Sequence, residues 1–164
     1  MKQRPTIEFM VARPDEVTLA DRAAFMKQVC EGGEVNPNTL PALVDRAVAL
    51  AMARKDGSLV GVGAIKRPNL THRGHVFKAA KVDLLPDALE LGWVFVQPAT
   101  RGLGISAMIV EALVPYVGAA RVYATSRVDN VPMHATLNRF GFKGVGVPYP
   151  SKQNNTPIQL FVRA

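Results

Sequence analysis

With 164 residues, a mass of 17.7 kDa, 48% apolar and 20% charged residues, the chain has the make-up of one folded domain (1–164) rather than a disordered segment or a string of domains. Its one cysteine, Cys30, excludes an intramolecular disulfide; there is no signal-peptide h-region and no apolar run near the roughly 18 residues of a membrane span, so a soluble, cytoplasmic protein without a membrane partner is expected. A net charge of +7 and a pI near 9.9 favour anionic partners: a phosphorylated co-substrate, nucleic acid or an acidic protein.

Thr6 to Val11 alternates apolar and polar residues and predicts a first strand. Thr18 and Asp21 resemble a capping box that opens a helix, and Gly32-Gly33 closes it. A second helix is expected from Asn38 or Thr39, with Pro41 in its first turn and Leu40, Leu43, Val44, Ala47 and Ala51 on one face. Lys55-Asp56-Gly57 is a turn, and Leu59 to Ile65 a strand with glycines at alternate positions. Lys66, Arg67, Arg73, Lys78 and Lys81 follow with no acid among them, as a solvated face or an anion-binding one; Asn69 to Lys81 fits either a short helix or a distorted strand.

Ala88 to Val96 predicts a strand, ended by Pro98, which has no N–H to give a ladder. Gly102 to Val117 predicts a helix with Ile105, Met108, Ile109, Ala112, Leu113 and Tyr116 inward, its last turn kinked or shortened by Pro115. Val122 to Ser126 is a strand, and Asn130 to Phe140 a short helix stopped by Gly141. Phe142 to Val147 and Ile158 to Val162 form a closing hairpin across the loop VPYPSKQNNTP. The mixture implies an α/β (α+β) fold, a sheet with helices on both faces.

Glu90 to Ser106 carries the chemistry: a strand runs into a loop with Gly102 and Gly104, and a helix begins. Glycines let backbone approach a ligand closely, helix N-terminal amides attract phosphate, and Arg101 adds charge. Neither a Walker loop nor a dinucleotide fingerprint is present. The spacing alone is also consistent with a plain tight turn.

The segment Arg101-Gly-Leu-Gly104-Ile-Ser106 resembles the Q/R-x-x-G-x-G/A loop of the GNAT superfamily of acyl-CoA N-acyltransferases, with Ser106 replacing the last small residue. As in that family it follows V-x-P (Val96-Gln97-Pro98), and downstream come a strand, Asn130 and a short helix closing in Gly141-Phe142. The resemblance implies a central twisted, mostly antiparallel sheet with a splayed strand pair that forms the coenzyme A site. It implies acetyl-CoA as co-substrate, no metal, and direct transfer to a primary amine on a small molecule or protein. The backbone of Val94, Phe95 and Val96 would pair with pantetheine, with a strand amide there polarising the thioester oxygen. Arg101, Gly102, Leu103, Gly104, Ile105 and Ser106 would hold the pyrophosphate. Asn130 would contact the pantetheine arm or fix its loop. The acceptor would sit among Asp15 to Arg54 and Val147 to Pro157.

By the same resemblance Glu90 is the candidate base, and apolar Leu89, Leu91 and Trp93 around it lead to an expected upward pKa shift. The family's usual tyrosine acid falls at Leu137, a departure; His134, one turn earlier, is the replacement candidate, ahead of Tyr123 and Tyr149. His72 and His75 (H-x-x-H) lack the companions of a metal site, and Cys30 reads as core. A nucleic-acid or aminoacyl-tRNA acceptor, an idle coenzyme A-binding module and a homodimer stay open.

Overall fold

The computed structural model describes residues 6–33, 35–151 and 155–164. Seven strands make one sheet in the order β1-β2-β3-β4-β5-β7-β6. They are β1 (Ile7–Ala12), β2 (Ala49–Lys55), β3 (Ser58–Lys66), β4 (Leu89–Val96), β5 (Val122–Arg127), β6 (Lys143–Pro150) and β7 (Pro157–Arg163). Every neighbouring pair is antiparallel except β4 and β5. The helices are α1 (Leu19–Glu31), α2 (Leu40–Arg46), α3 (Leu70–Ala79), α4 (Ile105–Leu113) and α5 (Val131–Arg139).

Strand alternation sorts the helices onto the two faces. Ala49, Ala51 and Ala53 pack with Ile105, Ile109 and Leu113 of α4, and Leu137 of α5 lies in the same cluster. Leu50 and Met52 point the other way, to Phe25 and Val29 of α1 and Leu40 and Val44 of α2. Val76 and Phe77 of α3 cover Tyr123 and Leu160 on that second face.

Side-chain caps fix the helix starts. The Thr18 hydroxyl accepts from Asp21 N at 3.1 Å, and Asn69 and Asn130 accept from the amides of His72 and Met133 at 2.7 and 3.3 Å. The Asn69 cap settles the ambiguous segment as helix α3. Three other expectations are corrected. The second helix ends at Arg46, and Ala51 belongs to β2, a strand the alanine-rich stretch conceals. Residues 49–53 are fully buried between β1 and β3 with helices on both faces, so pairing and packing override alanine's helix preference. Helix α4 starts only at Ile105, not Gly102, and Tyr116, expected inward, is 42% exposed while Val110 and Val117 are buried; Pro115 does shorten the last turn, into the 3-10 turn Val114–Val117. The closing hairpin is longer than expected, with β6 running through to Pro150; residues 152–154 of the expected loop lie outside the described residues.

The alternate glycines of β3 bring α4 onto the sheet. A Cβ on Gly63 would stand 2.6 Å from Ile109 Cγ2, and one on Gly61 would stand 3.0 Å from Ile105 Cγ2. The close approach fixes the height at which the N-terminus of α4 meets the end of β4.

Candidate active site

The site begins where the sheet comes apart. β4 pairs with β5 only at Leu89↔Val122 and Glu90↔Tyr123. From Leu91 to Val96 the β5-facing edge of β4 has no ladder partner among the described residues. β4 also carries a bulge: Val62 faces Phe95 and Ala64 faces Gly92, so Trp93 and Val94 together oppose Gly63. Trp93 takes φ 55° to make it, a conformation costing a non-glycine residue about 1–3 kcal/mol. Its ring is held edge-on to Phe25 at 6.2 Å and lies 4.7 Å from Lys66 Nζ. Backbone polar groups with no internal partner need an external one.

Beyond Val96 the chain makes a 3-10 turn at Pro98–Thr100 and enters Arg101–Ser106. Gly102 and Gly104 sit at φ 86° and 77°, the left-handed region that favours glycine. Gly104 is the N-cap of α4, supplies no side-chain cap, and accepts from Met108 N at 3.1 Å. The amides of Ile105, Ser106 and Ala107 therefore point out of the helix without a partner among the described residues. The Ile105 side chain is buried in the core, and Leu103 is 42% exposed. Arg101 donates Nε–H to Val96 O at 3.2 Å and lies over the Phe95 ring, so part of its role is to clasp the end of β4.

A cavity of about 550 Å³ fills the β4–β5 fork. One wall is Leu91 to Phe95; α1 contributes Val29 with Gly32 and Gly33 after it, α3 His72 and His75, α5 Met133 and Leu137, and the hairpin Tyr149 and Ile158. Glu90 is at its floor, 6% exposed. Lys66 Nζ lies 3.3 Å from Glu90 Oε1; Tyr123 donates its hydroxyl to Oε2 at 2.8 Å, and His72 Nε2 lies 3.5 Å from that same oxygen. These contacts reverse the expected pKa shift of Glu90. Burial alone raises it, but Lys66, His72 and Tyr123 outweigh burial and bring it down to about 2. Tyr123 is raised above the ordinary tyrosine range by burial and by the Glu90 charge, and the same two causes push Tyr149 up to about 12.

Glu90, Val94 and Phe95 thus meet in one cavity, whereas Arg101 to Ser106 lie beyond its walls. Leu137, at the position of the missing tyrosine, is buried against it. His134 is apart: its Nε2 lies 2.8 Å from Arg127 O and its ring packs on Phe161. Asn130 spends its Oδ1 on capping α5. Cys30 packs beside the α1 cluster. Sequence reasoning missed Lys66 and His72 as neighbours of Glu90. Lys66 stands opposite Glu90 in the β3–β4 register, which no local spacing announces. Arg73, counted there with the basic stretch, instead turns inward and donates to the carbonyls of Ala88, Pro86 and Pro68.

The sheet is thus forked at its one parallel strand pair, with a free strand edge leading into an uncapped helix N-terminus. The family model of the acetyltransferase (GNAT) family matches residues 20–142, and the chain belongs to that family. Solved structures agree on the fold. An acyl-CoA N-acyltransferase from Pseudomonas aeruginosa is similar at TM-score 0.70 and 18% identity, over 97% of this chain and 100% of that one. Escherichia coli ElaA is similar at 0.68 and 17%, over 97% and 100%. The ribosomal-protein-S18-alanine N-acetyltransferase of Escherichia coli is similar at 0.66 and 13%, over 95% and 93%. Curated protein sequences give no match.

Proposed function

We propose that this chain transfers the acetyl group of acetyl-CoA to a primary amine by direct attack, without a covalent intermediate on the protein. The observation that carries this reading is the unpaired edge of β4 leading to the partnerless amides at the start of α4. A pantetheine arm offers amides that pair with Val94 to Val96 as an added strand, and a pyrophosphate offers the negative charge that the helix start and Arg101 favour. The residues present therefore fit coenzyme A, and Gly102 and Gly104 leave open space where a side chain would obstruct it.

In the reaction, a C–N bond forms between amine and acyl carbon, the C–S bond breaks, and the thiolate departs. An N–H near the Trp93–Val94 bulge, freed from the ladder, would stabilise the developing oxyanion. No tyrosine stands at Leu137 to protonate the sulfur; a thiol of ordinary pKa near 8.5 leaves as the thiolate at modest cost. The acceptor enters through the cavity between α1, α3 and the hairpin. Lys66 and Arg73 are both engaged in internal contacts, so this basic stretch is not a uniform surface for nucleic acid, and a small-molecule or peptide amine is the acceptor class favoured.

Acetyl-CoA at a hundredfold over its Kd is expected to stabilise the protein by about 2.7 kcal/mol, read as a rise in Tm. Gly104→Val, which places a β-branched residue at φ 77° and fills the approach, should lose that rise. Ser106→Glu keeps the fold, because an acid in the first turn suits the helix dipole, yet repels pyrophosphate. An undiminished Tm rise in both variants would sink the assignment of this loop.

A further inference from the structure

The transfer reading leaves a question of where the amine's proton goes, and the inference here rests on that reading. Glu90 is poorly suited to take it. Its oxygens are already occupied, Oε1 by Lys66 and Oε2 by Tyr123 and His72, at 3.3, 2.8 and 3.5 Å. Its pKa, down to about 2, gives it little affinity for a proton at neutral pH.

His72 is placed differently. It lies in the first turn of α3, held there because Asn69 accepts from its backbone amide. Its side chain is 51% exposed and lines the cavity. Nε2 faces the buried carboxylate, while Nδ1 has no partner among the described residues. A proton on Nε2, shared with Glu90, leaves the lone pair on Nδ1. The imidazolium formed when Nδ1 is protonated would then rest against an anion that is already ionised. A carboxylate beside an imidazole that lines a cavity, fixing its tautomer, is a recurrent acid–base arrangement.

We propose that His72 is the proton acceptor of the transfer: Nδ1 takes the proton shed by the attacking nitrogen, and Glu90 is the positioning residue that orients the ring. The proton balance is complete, since His72 later returns the proton to solvent and the thiolate is protonated there. Other titratable or charged groups around this position are Lys66 from β3 and Arg67 just after it, Tyr123 from β5, Tyr149 from β6 and His75 from α3 itself. Lys66 is committed to Glu90 and the Trp93 ring. Tyr123 donates to Glu90, Tyr149 is pushed up to about 12, and among the described residues no carboxylate pairs with His75.

The test is thiol release from acetyl-CoA with spermidine, glycinamide, 2-phenylethylamine, a tetrapeptide with a free alanine N-terminus, or water alone as acceptor. His72→Gln is expected to lower kcat at neutral pH by about 10²-fold or more, with acetyl-CoA affinity unchanged. The fall in kcat on acidification expected of the wild type should be absent from His72→Gln. Imidazole added to the buffer should restore part of the rate of His72→Ala but none of that lost in Glu90→Gln, where the base is present and misplaced. His72→Gln keeps an amide able to donate to Glu90 and should keep a Tm near that of the wild type, whereas His72→Ala deprives the buried carboxylate of a donor and should lower it; imidazole rescue of His72→Ala then separates catalysis from folding. A His72→Gln enzyme within about threefold of wild type, with the same pH profile, overturns the proposal while leaving the transferase reading intact. So does a pH profile lost in His75→Gln instead. A wild-type protein that releases no thiol with any of these acceptors overturns the transferase reading, and this proposal with it.

Discussion

Glu90 is a buried ion, and its stability depends on the donors around it. Removing a carboxylate from water costs several kcal/mol unless donors replace the solvent, and here Lys66, His72 and Tyr123 do so. Its folded pKa lies below its unfolded value of 4.5, so its contribution is full above that pH and lost as pH falls toward about 2. The shift corresponds to on the order of 3 kcal/mol. Urea denaturation of wild type and Glu90→Gln should therefore give stabilities whose difference narrows by about that amount between about pH 5 and about pH 2. A difference that stays constant over this range would mean that the carboxylate is not held ionised by its neighbours. That a carboxylate stands on this strand, six residues before Val96, was legible in the sequence. The direction of its pKa was not, because its apolar chain neighbours are visible in sequence and the cross-strand Lys66 is not.

At the level of elements, the site depends on how closely α4 lies on β3. Gly61 and Gly63 set that distance; the glycine alternation in Leu59 to Ile65 is visible in the sequence, but not the helix it admits. Gly63→Ala places a methyl 2.6 Å from Ile109 Cγ2, on a β-branched side chain with little freedom to move. The expected cost is about 1–3 kcal/mol, as for other overpacked cores. Because α4 must lift, its N-terminus moves relative to β4, and acetyl-CoA affinity should fall alongside Tm. Calorimetry on Gly63→Ala distinguishes this from simple destabilisation: unchanged affinity at lowered Tm would uncouple helix height from the site. The cap at Thr18, the helix start at Asn130 and the stop at Gly141 were readable because they are local. β2 was not, since five residues of Ala49–Ala53 prefer helix in isolation and are strand only because β1, β3, α2 and α4 enclose them. His72 escaped notice as a site residue for a related reason. Its H-x-x-H spacing invites a metal reading, and its real partner lies across the sheet.

The whole sheet is two smaller sheets joined at one short seam. β1 to β4 form one body and β5, β7 and β6 the other, and the parallel pairing between them covers Leu89↔Val122 and Glu90↔Tyr123. Antiparallel neighbours pair along most of their length: β1 and β2 match from Ile7↔Lys55 to Ala12↔Leu50. The fork that opens the cavity is thus also the place where, among the described residues, neighbouring strands pair least. The Tyr123 hydroxyl crosses this seam to Glu90 in a fully buried setting, and its raised pKa keeps it protonated as a donor. Tyr123→Phe preserves the ring that packs edge-on to Phe77 at 5.3 Å and removes only the hydrogen bond. A buried carboxylate deprived of one donor should cost about 1–3 kcal/mol. That loss should fall unevenly. If the seam is the weakest joint, the amides of β5, β6 and β7 should exchange about tenfold faster or more in Tyr123→Phe while those of β2 and β3 change little, since a sub-global opening separates the halves before either unfolds. Acetyl-CoA, bound along the fork, should reduce the difference by bridging the two bodies. Hydrogen exchange read residue by residue decides the matter: equal acceleration in every strand would mean that the sheet opens only as one unit and that α4 and the shared core, rather than the seam, hold its halves together.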